Sequence, residues 1–324
     1  MKRVLYLLLA AMVLVTASSC SGGGKKDVTT TRESGDTLQG TIQLSGAFAL
    51  YPMAVKWAEE FKKIHPNVRI DISGGGAGKG MTDALAGVVD IGMVSREVYP
   101  EEIEKGAFPI AVIKDAVVPT ISTKNPDLQD ILKKGITAET ALKLWNKEFT
   151  TWGQVIGTSS KTPLHVFTRS DACGAAETFA AWFGKRQDDL KGTAVFGDPG
   201  VASAVQKDAV GVGFNNIGYV YDQNSKKPFE GLAVLPLDVN GDGQITDDER
   251  FYETSGQIVA AIQDGRFPSP PARDLYMVAK GKPQGQALIE FLKYVLTEGQ
   301  QYAGETGYIG LSDEKIQREL DKLK

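Results

Sequence analysis

The sequence predicts an α/β protein whose mainly parallel sheets are flanked by helices, and three observations predict it. From about Gly40 onwards, short β-rich runs alternate with helical patterns, the grammar of strand–loop–helix units. The small-residue loops SGAFALYP, SGGGAGKG and RSDACGAA each stand between a strand-like run and the helical pattern after it. In open α/β sheets that position is the carboxyl edge, where ligands bind. The composition, 42% hydrophobic and 23% charged over 324 residues, is that of a globular chain with room for one large or two medium domains.

The elements follow in order. GTIQLSG reads as a strand, and YPMAVKWAEEFKKI as a helix with Met53, Trp57, Phe61 and Ile64 on one face. VRIDISGGG alternates as a strand, GMTDALAGV is helical, and VDIGMVS is a strand again. DAVVPTIS continues as a strand, DILKKG and AETALKLW as helices, LHVFTRS as a strand and AAETFAAWFG as a helix. LAVLPL is strand-like, and LYMVAKG with GQALIEFLKYVLTEG closes the chain as strand and helix. No internal repeat is evident.

The first residues have a different character. MKRVLYLLLAAMVLVTASSC has two basic residues, an apolar run from Val4 to Val15, and small residues ending at Cys20. The apolar run is too short to span a bilayer and reads as a secretory leader over 1–19. A cysteine after Ala17-Ser18-Ser19 resembles a bacterial lipoprotein cleavage site, with Cys20 becoming the acylated N-terminus. Residues 20–39 have the polarity and glycine content of a flexible tether. Losing Lys2 and Arg3 with the leader takes the formal net charge from −4 to −6. A mildly acidic chain has no electrostatic reason to bind nucleic acid. Cys20 and Cys173 are the only cysteines, so an acylated Cys20 leaves no intramolecular disulfide.

Three segments carry candidate chemistry. TRSDACGAAETFAAWF places Arg169 and Asp171 ahead of an elbow, Ala172-Cys173-Gly174, that opens a helix. Unsatisfied N–H groups and a partial positive charge at a helix start accept an anion readily; a surface turn with Asp171 near the cap position is the alternative. GGGAGK over 74–79 invites a phosphate-loop reading, but the spacing is one residue short and Gly80 stands where Ser or Thr belongs. Nucleotide hydrolysis is rejected on that ground. DVNGDGQITDDE, Asp238 to Glu249, fits the calcium loop of EF-hands at each diagnostic place. Asp238, Asn240 and Asp242 supply hard oxygens, Gly243 the turn, Gln244 a carbonyl and Glu249 a bidentate carboxylate. The strand-like LAVLPL precedes it in place of a helix, so a grafted, structural Ca²⁺ loop is expected.

The order of YPMAVKWAEEF, the glycine loop at 74–80, VDIGMVSRE, TWGQV, RSDACGAAETF, GVGFNNIGYVYD and FLKYVLTEGQQYAGETGYIGLS resembles that of the periplasmic phosphate-binding proteins of ABC importers. The resemblance covers most of the chain beyond the leader. It implies the two-lobed, type II periplasmic binding protein fold, with crossings near Ala116–Ser122 and Pro271–Val278. Lobe 1 is then 40–117 with 274–324, and lobe 2 is 118–273. It also implies that an oxyanion, phosphate first, is captured between the lobes and handed to the membrane subunits of an ABC importer. The carrier would be a monomer, lipid-anchored outside the cytoplasm on the periplasmic face or the cell surface.

The departures from that family concern its hydroxyl donors. Ala49 before Leu50 stands where a Thr is common, Cys173-Gly174-Ala175 replaces Ser-Gly-Thr, and Ala77 is the nearest equivalent of a loop Ser. Arg169, its partner Asp171, Ser95 beside Arg96, Cys173, Gly174 and the amides near Ala49–Leu50, Ala77–Gly78 and Ala175 remain as the shell. Bonds to a charged group contribute roughly 1.5–3 kcal/mol each and neutral ones about 1. Since about 1.4 kcal/mol is tenfold in affinity, losing several hydroxyls weakens such a site by orders of magnitude without abolishing it. Phosphate at neutral pH carries a proton and needs an acceptor, a part that Ser95 can play; sulfate, molybdate and organic phosphates stay open.

Two other classes compete. A cysteine-dependent enzyme would use Cys173 at its helix start, but Phe179 occupies the arginine position of a Cys-x5-Arg phosphatase. The only histidines, His65 and His165, lie in a helix end and a strand. A lobe repurposed for another oxyanion, signalling or protein interaction is the other rival. Trp57, Trp145, Trp152 and Trp182 sit in patterns suited to core packing rather than to an exposed patch.

Overall fold

The sheet turns on one long strand, Ala107–Ser122, that changes partners half-way along. The computed structural model describes residues 38–324. The expected leader, Cys20 and almost all of the expected tether lie outside the described residues. Among the described residues, nine strands form one continuous series of pairings: β1 Gly40–Gly46, β2 Val68–Gly74, β3 Ile91–Val94, β4 Ala107–Ser122, β5 His165–Arg169, β6 Thr193–Val195, β7 Gly211–Asn216, β8 Leu232–Val234 and β9 Ala272–Lys280. Their order is β2-β1-β3-β9-β4-β7-β5-β6, with β8 also on β4.

Within β4, Ala107–Ala116 pairs with β9, Val117–Ile121 with β7 and Thr120–Ser122 with β8. The hydrophobic cores change over at the same place. One contains Ile110, Val112 and Ile113 of β4 and Leu275 and Met277 of β9, and the other contains Ala116–Val118, Ile121 and Ala272. β4 and β9 are therefore the two strands that pass from one half to the other. The expected parallel pairing holds for β1 with β2 and β3, and for β5 with β6 and β7. The crossing strands are antiparallel to each other and to β3, β7 and β8. DAVVPTIS alone showed only the second half of β4.

The helix Tyr51–Ile64 buries Met53, Trp57 and Phe61 as its spacing requires. Ile64, expected on the same face, is exposed because the helix ends there. Trp57 donates its indole N–H to the Gly299 carbonyl at 2.9 Å, which fixes the C-terminal segment on the first core. In the second core, Phe179 stacks on Phe214 at 4.8 Å and meets Trp145 edge-on at 4.7 Å. Trp152 is also fully buried and Trp182 packs against the same cluster, so no tryptophan patch faces solvent.

The glycine-rich loop has a packing reason. A Cβ at Gly80 would lie 2.4 Å from the Met93 carbonyl oxygen, and one at Gly92 would lie 2.2 Å from the Gly80 oxygen. Only bare backbone lets the helix Ala77–Ala86 sit directly on β1 and β3. The amides of Gly75 and Gly76 both donate to the Gly46 carbonyl, at 2.9 and 3.0 Å, instead of cradling a phosphate.

Asp115 and Arg273 face each other in register on β4 and β9. Arg273 Nε donates to Asp115 Oδ1 at 2.8 Å, with both side chains under 5% exposed. The same guanidinium donates to Thr178 Oγ1 at 3.1 Å and to Asn216 Oδ1. Burial pushes the Asp115 carboxyl up, and the charge and hydrogen bonds of Arg273 pull it back. Breaking a buried pair leaves an uncompensated charge, at a cost of about 3–5 kcal/mol. Asp115→Met is therefore expected to lower unfolding free energy by that order in urea titration; an unchanged midpoint would show the pair to be neutral.

Candidate anion-binding site

β5 ends at Arg169, and the chain turns through Ser170–Cys173 into the helix Gly174–Trp182. The Arg169 side chain is 1% exposed. Its Nε and Nη2 donate to Asp171 Oδ1 and Oδ2 at 2.9 and 2.6 Å, a bidentate grip along one edge. Its Nη1 donates to Asp198 Oδ2 at 2.6 Å. Asp171 belongs to the turn, and Asp198 to the first turn of the helix Gly197–Lys207. Asp171 Oδ1 also accepts the Gly197 amide at 3.0 Å, and Asp198 Oδ1 accepts the Asn216 amide at 2.9 Å. Asn215 Nδ2 donates to the Asp198 carbonyl at 2.8 Å.

The trio's electrostatics follow from this geometry. Burial works against the Asp171 carboxylate, but hydrogen bonds and charge from Arg169 and the Gly197 amide outweigh it and hold its pKa below the usual range. Burial likewise works against the Arg169 cation, and the charge of Asp198, then Cys173 and Asp171, raises its pKa despite that. Two carboxylates on one guanidinium leave the cluster one charge negative.

From the other half of the sheet, backbone closes onto this cluster. The Gly78 amide donates to the Ala172 carbonyl at 3.1 Å. A Cβ at Gly174 would lie 1.9 Å from the Ser95 carbonyl oxygen, so Ser95 rests directly on the start of the helix. Ala77 and Ala175 are buried small residues in the first turns of their helices. The Phe48 ring lies 6.0 Å from the Arg169 guanidinium, and Phe196 packs edge-on against it at 5.8 Å. Tyr219 donates its hydroxyl to the Phe48 carbonyl at 3.0 Å.

The structure thus brings Arg169, Asp171, Cys173, Gly174, Ser95 and Gly78 together. At the expected Ala49–Leu50 position the chain makes a local turn. The Leu50 amide is taken by the Ala47 carbonyl at 3.1 Å, and the Ala49 carbonyl accepts the Tyr308 hydroxyl at 2.6 Å. This turn presents the aromatic face of Phe48 to Arg169. Arg96 makes a two-bond pair with Glu102, at 2.9 and 2.7 Å, and lies over the Tyr99 ring at 4.3 Å. Tyr99 donates to Glu177 Oε1 across the cleft at 2.9 Å. Asp198, Asn216 and Phe48 escaped the sequence reading. VFGDPGVASAV, another small-residue loop between a strand and a helix, was the signal for the first of these.

Cys173 is the N-cap of its helix: its Sγ accepts the Ala176 amide at 3.4 Å, and its own amide donates to Gln187 Oε1 at 2.9 Å. Burial pushes its thiol up to about 12, against the pull of Arg169. A thiol in that range is no nucleophile at neutral pH. His165 lies away from it, 57% exposed and paired with Asp208 at 2.6 Å.

The expected calcium loop is wound around its own amides. Asp238 accepts the amides of Gly241 and Gly243 at 2.7 and 3.0 Å, and the side-chain oxygens of Asn240 and Asp242 accept those of Asp242 and Gln244 at 2.8 and 3.0 Å. Glu249 is buried and uses one oxygen on the amides of Val239 and Asn240 and the other on Thr246. Among the described residues, no group of three His, Cys, Asp or Glu side chains is gathered to hold a metal. The hard-oxygen set expected of Asp238, Asn240, Asp242, Gln244 and Glu249 suits Ca²⁺, and its side-chain oxygens on Asp238, Asn240, Asp242 and Glu249 accept backbone N–H groups here.

Two crossing strands thus join the halves of the sheet, and a buried guanidinium lies at the end of β5. A family model for the PBP superfamily domain matches residues 31–298. The chain belongs to the PBP superfamily. Among the relatives of this superfamily member are the phosphate-binding protein PstS of Staphylococcus haemolyticus, 24% identical over 89% of this chain and 86% of that protein, and PstS of Pseudomonas aeruginosa, 26% identical over 88% of each. A Clostridium perfringens structure assigned as a phosphate ABC transporter substrate-binding protein, with phosphate bound, superposes with a TM-score of 0.69 at 21% identity, covering 84% of this chain and all of that one. An ABC-type phosphate transport receptor from Vibrio cholerae gives 0.60 at 19% identity, over 83% of this chain and all of that one. The superfamily fold is thus shared at low sequence identity.

Burial makes a clear prediction for the thiol of this superfamily member. With Cys20→Ser in place, iodoacetamide at pH 7.5 is expected to leave Cys173 unmodified on a timescale that labels the urea-unfolded chain completely. Fast labelling of the folded protein would restore a thiolate chemistry.

Proposed function

We propose that this chain captures inorganic phosphate between the two halves of its sheet and delivers it to an ABC importer. One observation carries the reading: a guanidinium fixed by Asp171 at the seam, beside the starts of the helices Ala77–Ala86 and Gly174–Trp182. PstS relatives covering almost all of the chain support it. In this reading Arg169 grips the anion, Asp171 orients Arg169, and Ser95, Cys173, Gly174 and the amides at Ala77–Gly78 and Ala175 complete the shell. Part of the halves' contact must open first, because the Gly78 amide is engaged by Ala172. The chain then works as a binding protein and not as an enzyme, in keeping with the high-lying Cys173 thiol. Lipid on Cys20 would tether it outside the cytoplasm as a monomer. Among the described residues, no helix is long and apolar enough to cross a membrane.

Titration calorimetry and melting with phosphate, arsenate, sulfate and molybdate test the reading. Phosphate is expected to bind and raise Tm, and Arg169→Lys, which keeps the charge between the two aspartates but not the two-pronged edge, to lose at least tenfold in affinity. Stabilisation by another of these anions alone would move the assignment to that oxyanion. No response to any at millimolar concentration would leave a repurposed lobe.

The 238–249 loop is proposed as a structural Ca²⁺ site that forms only when Glu249 gives up its amide partners. Oxygen-only donors at EF-hand spacing support it. Calcium is expected to raise Tm relative to chelator, and Asp238→Ala with Glu249→Ala to remove the difference. Superimposable melts with and without chelator would refute it.

A further inference from the structure

A bidentate anion needs two N–H groups on one edge of a guanidinium, and Arg169 has five N–H in all. The Nε/Nη2 edge is filled by Asp171. The edge left for a guest is Nη1/Nη2, and Nη1 already donates to Asp198 at 2.6 Å. Asp198 is not a loose side chain. It is 2% exposed, its second carboxylate oxygen accepts the Asn216 amide, and its carbonyl is held by Asn215. The two aspartates therefore do different work. Asp171 holds one edge and leaves the other free; Asp198 engages Nη1, one of the two nitrogens of that free edge.

We propose that Asp198 is a built-in competitor for the anion: its carboxylate takes the place on Arg169 that a bound oxyanion would share, and so sets how weakly the site binds. The proposal rests on the phosphate reading above. It accounts for halves that meet with the guanidinium almost dry. Two aspartates neutralise Arg169 here, while Gly78 donates to Ala172 and Ser95 rests on Gly174. An incoming anion must displace Asp198 from Nη1 or share that nitrogen with it, next to a cluster already one charge negative. When the anion leaves, the carboxylate returns. Hydroxyl donors missing from the loops and a competing carboxylate at the arginine act in the same direction, towards easy release.

The test is calorimetric titration of full-length protein with inorganic phosphate and with sulfate at pH 7.5, comparing wild type, Asp198→Asn and Asp171→Asn. The asparagine at 198 keeps an oxygen for the Asn216 amide and removes the charge; Asp198→Ser serves if circular dichroism shows the first variant misfolded. Asp198→Asn is expected to bind phosphate at least tenfold tighter than wild type, and Asp171→Asn to bind more weakly. A merely structural role for Asp198 would give weaker binding, so a gain cannot come from damage. Binding by Asp198→Asn where wild type shows none also supports the proposal. Unchanged or weaker phosphate binding by both 198 variants, with wild type still binding, overturns the proposal and leaves the phosphate reading standing. No binding of either anion by any of the proteins overturns both.

Discussion

Among the described residues, two guanidinium groups are held almost wholly out of water, and the arrangement of the rest depends on how they are neutralised. Arg169 is bracketed by Asp171 and Asp198, and Arg273 is paired with Asp115. Asn216 joins the two, giving its amide to Asp198 and its side-chain oxygen to Arg273. A continuous buried polar path therefore runs from the elbow after β5, through the end of β7, to the crossing strands. Such networks are costly when partly satisfied, because a lone buried charge or dipole has no water to turn to. That cost makes the positions of β5, β7, β4 and β9 interdependent.

Around this path the fold follows ordinary rules. Apolar runs make the central strands, aromatic residues fill the second core, and glycine permits the closest helix–strand contact. The loops at the carboxyl edge need no hydroxyl donors to close, since backbone meets backbone there. The same closure is what an entering guest has to open.

The strand–helix grammar, the buried face of the first helix and the pairing of Arg169 with Asp171 were all legible in the sequence, because period and local spacing encode them. The long reach of β4 was not. Its first half, AFPIAVIKD, carries Pro and Lys that blur a strand signal, and its length is set by pairing with the distant β9. Asp198 was invisible as a partner for the same kind of reason: 29 residues separate it from Arg169, and only the parallel stacking of β5 and β6 brings the next helix start alongside. The calcium motif was legible as a string, yet a string does not say whether carboxylates will face an ion or their own amides.

Every charged member of the Arg169 cluster comes from the stretch between β5 and β7. What the opposite half sets against it is a peptide N–H, a peptide carbonyl and the face of a phenyl ring, at Gly78, Ser95 and Phe48. The molecule thus divides its labour unevenly: one side holds the ionic lock, and the other meets it with backbone and an aromatic ring, a lid cut to its contour. Sequence drift in the lid would alter fit and the speed of opening, whereas a change of guest from one ionic species to another would have to be written on the far side.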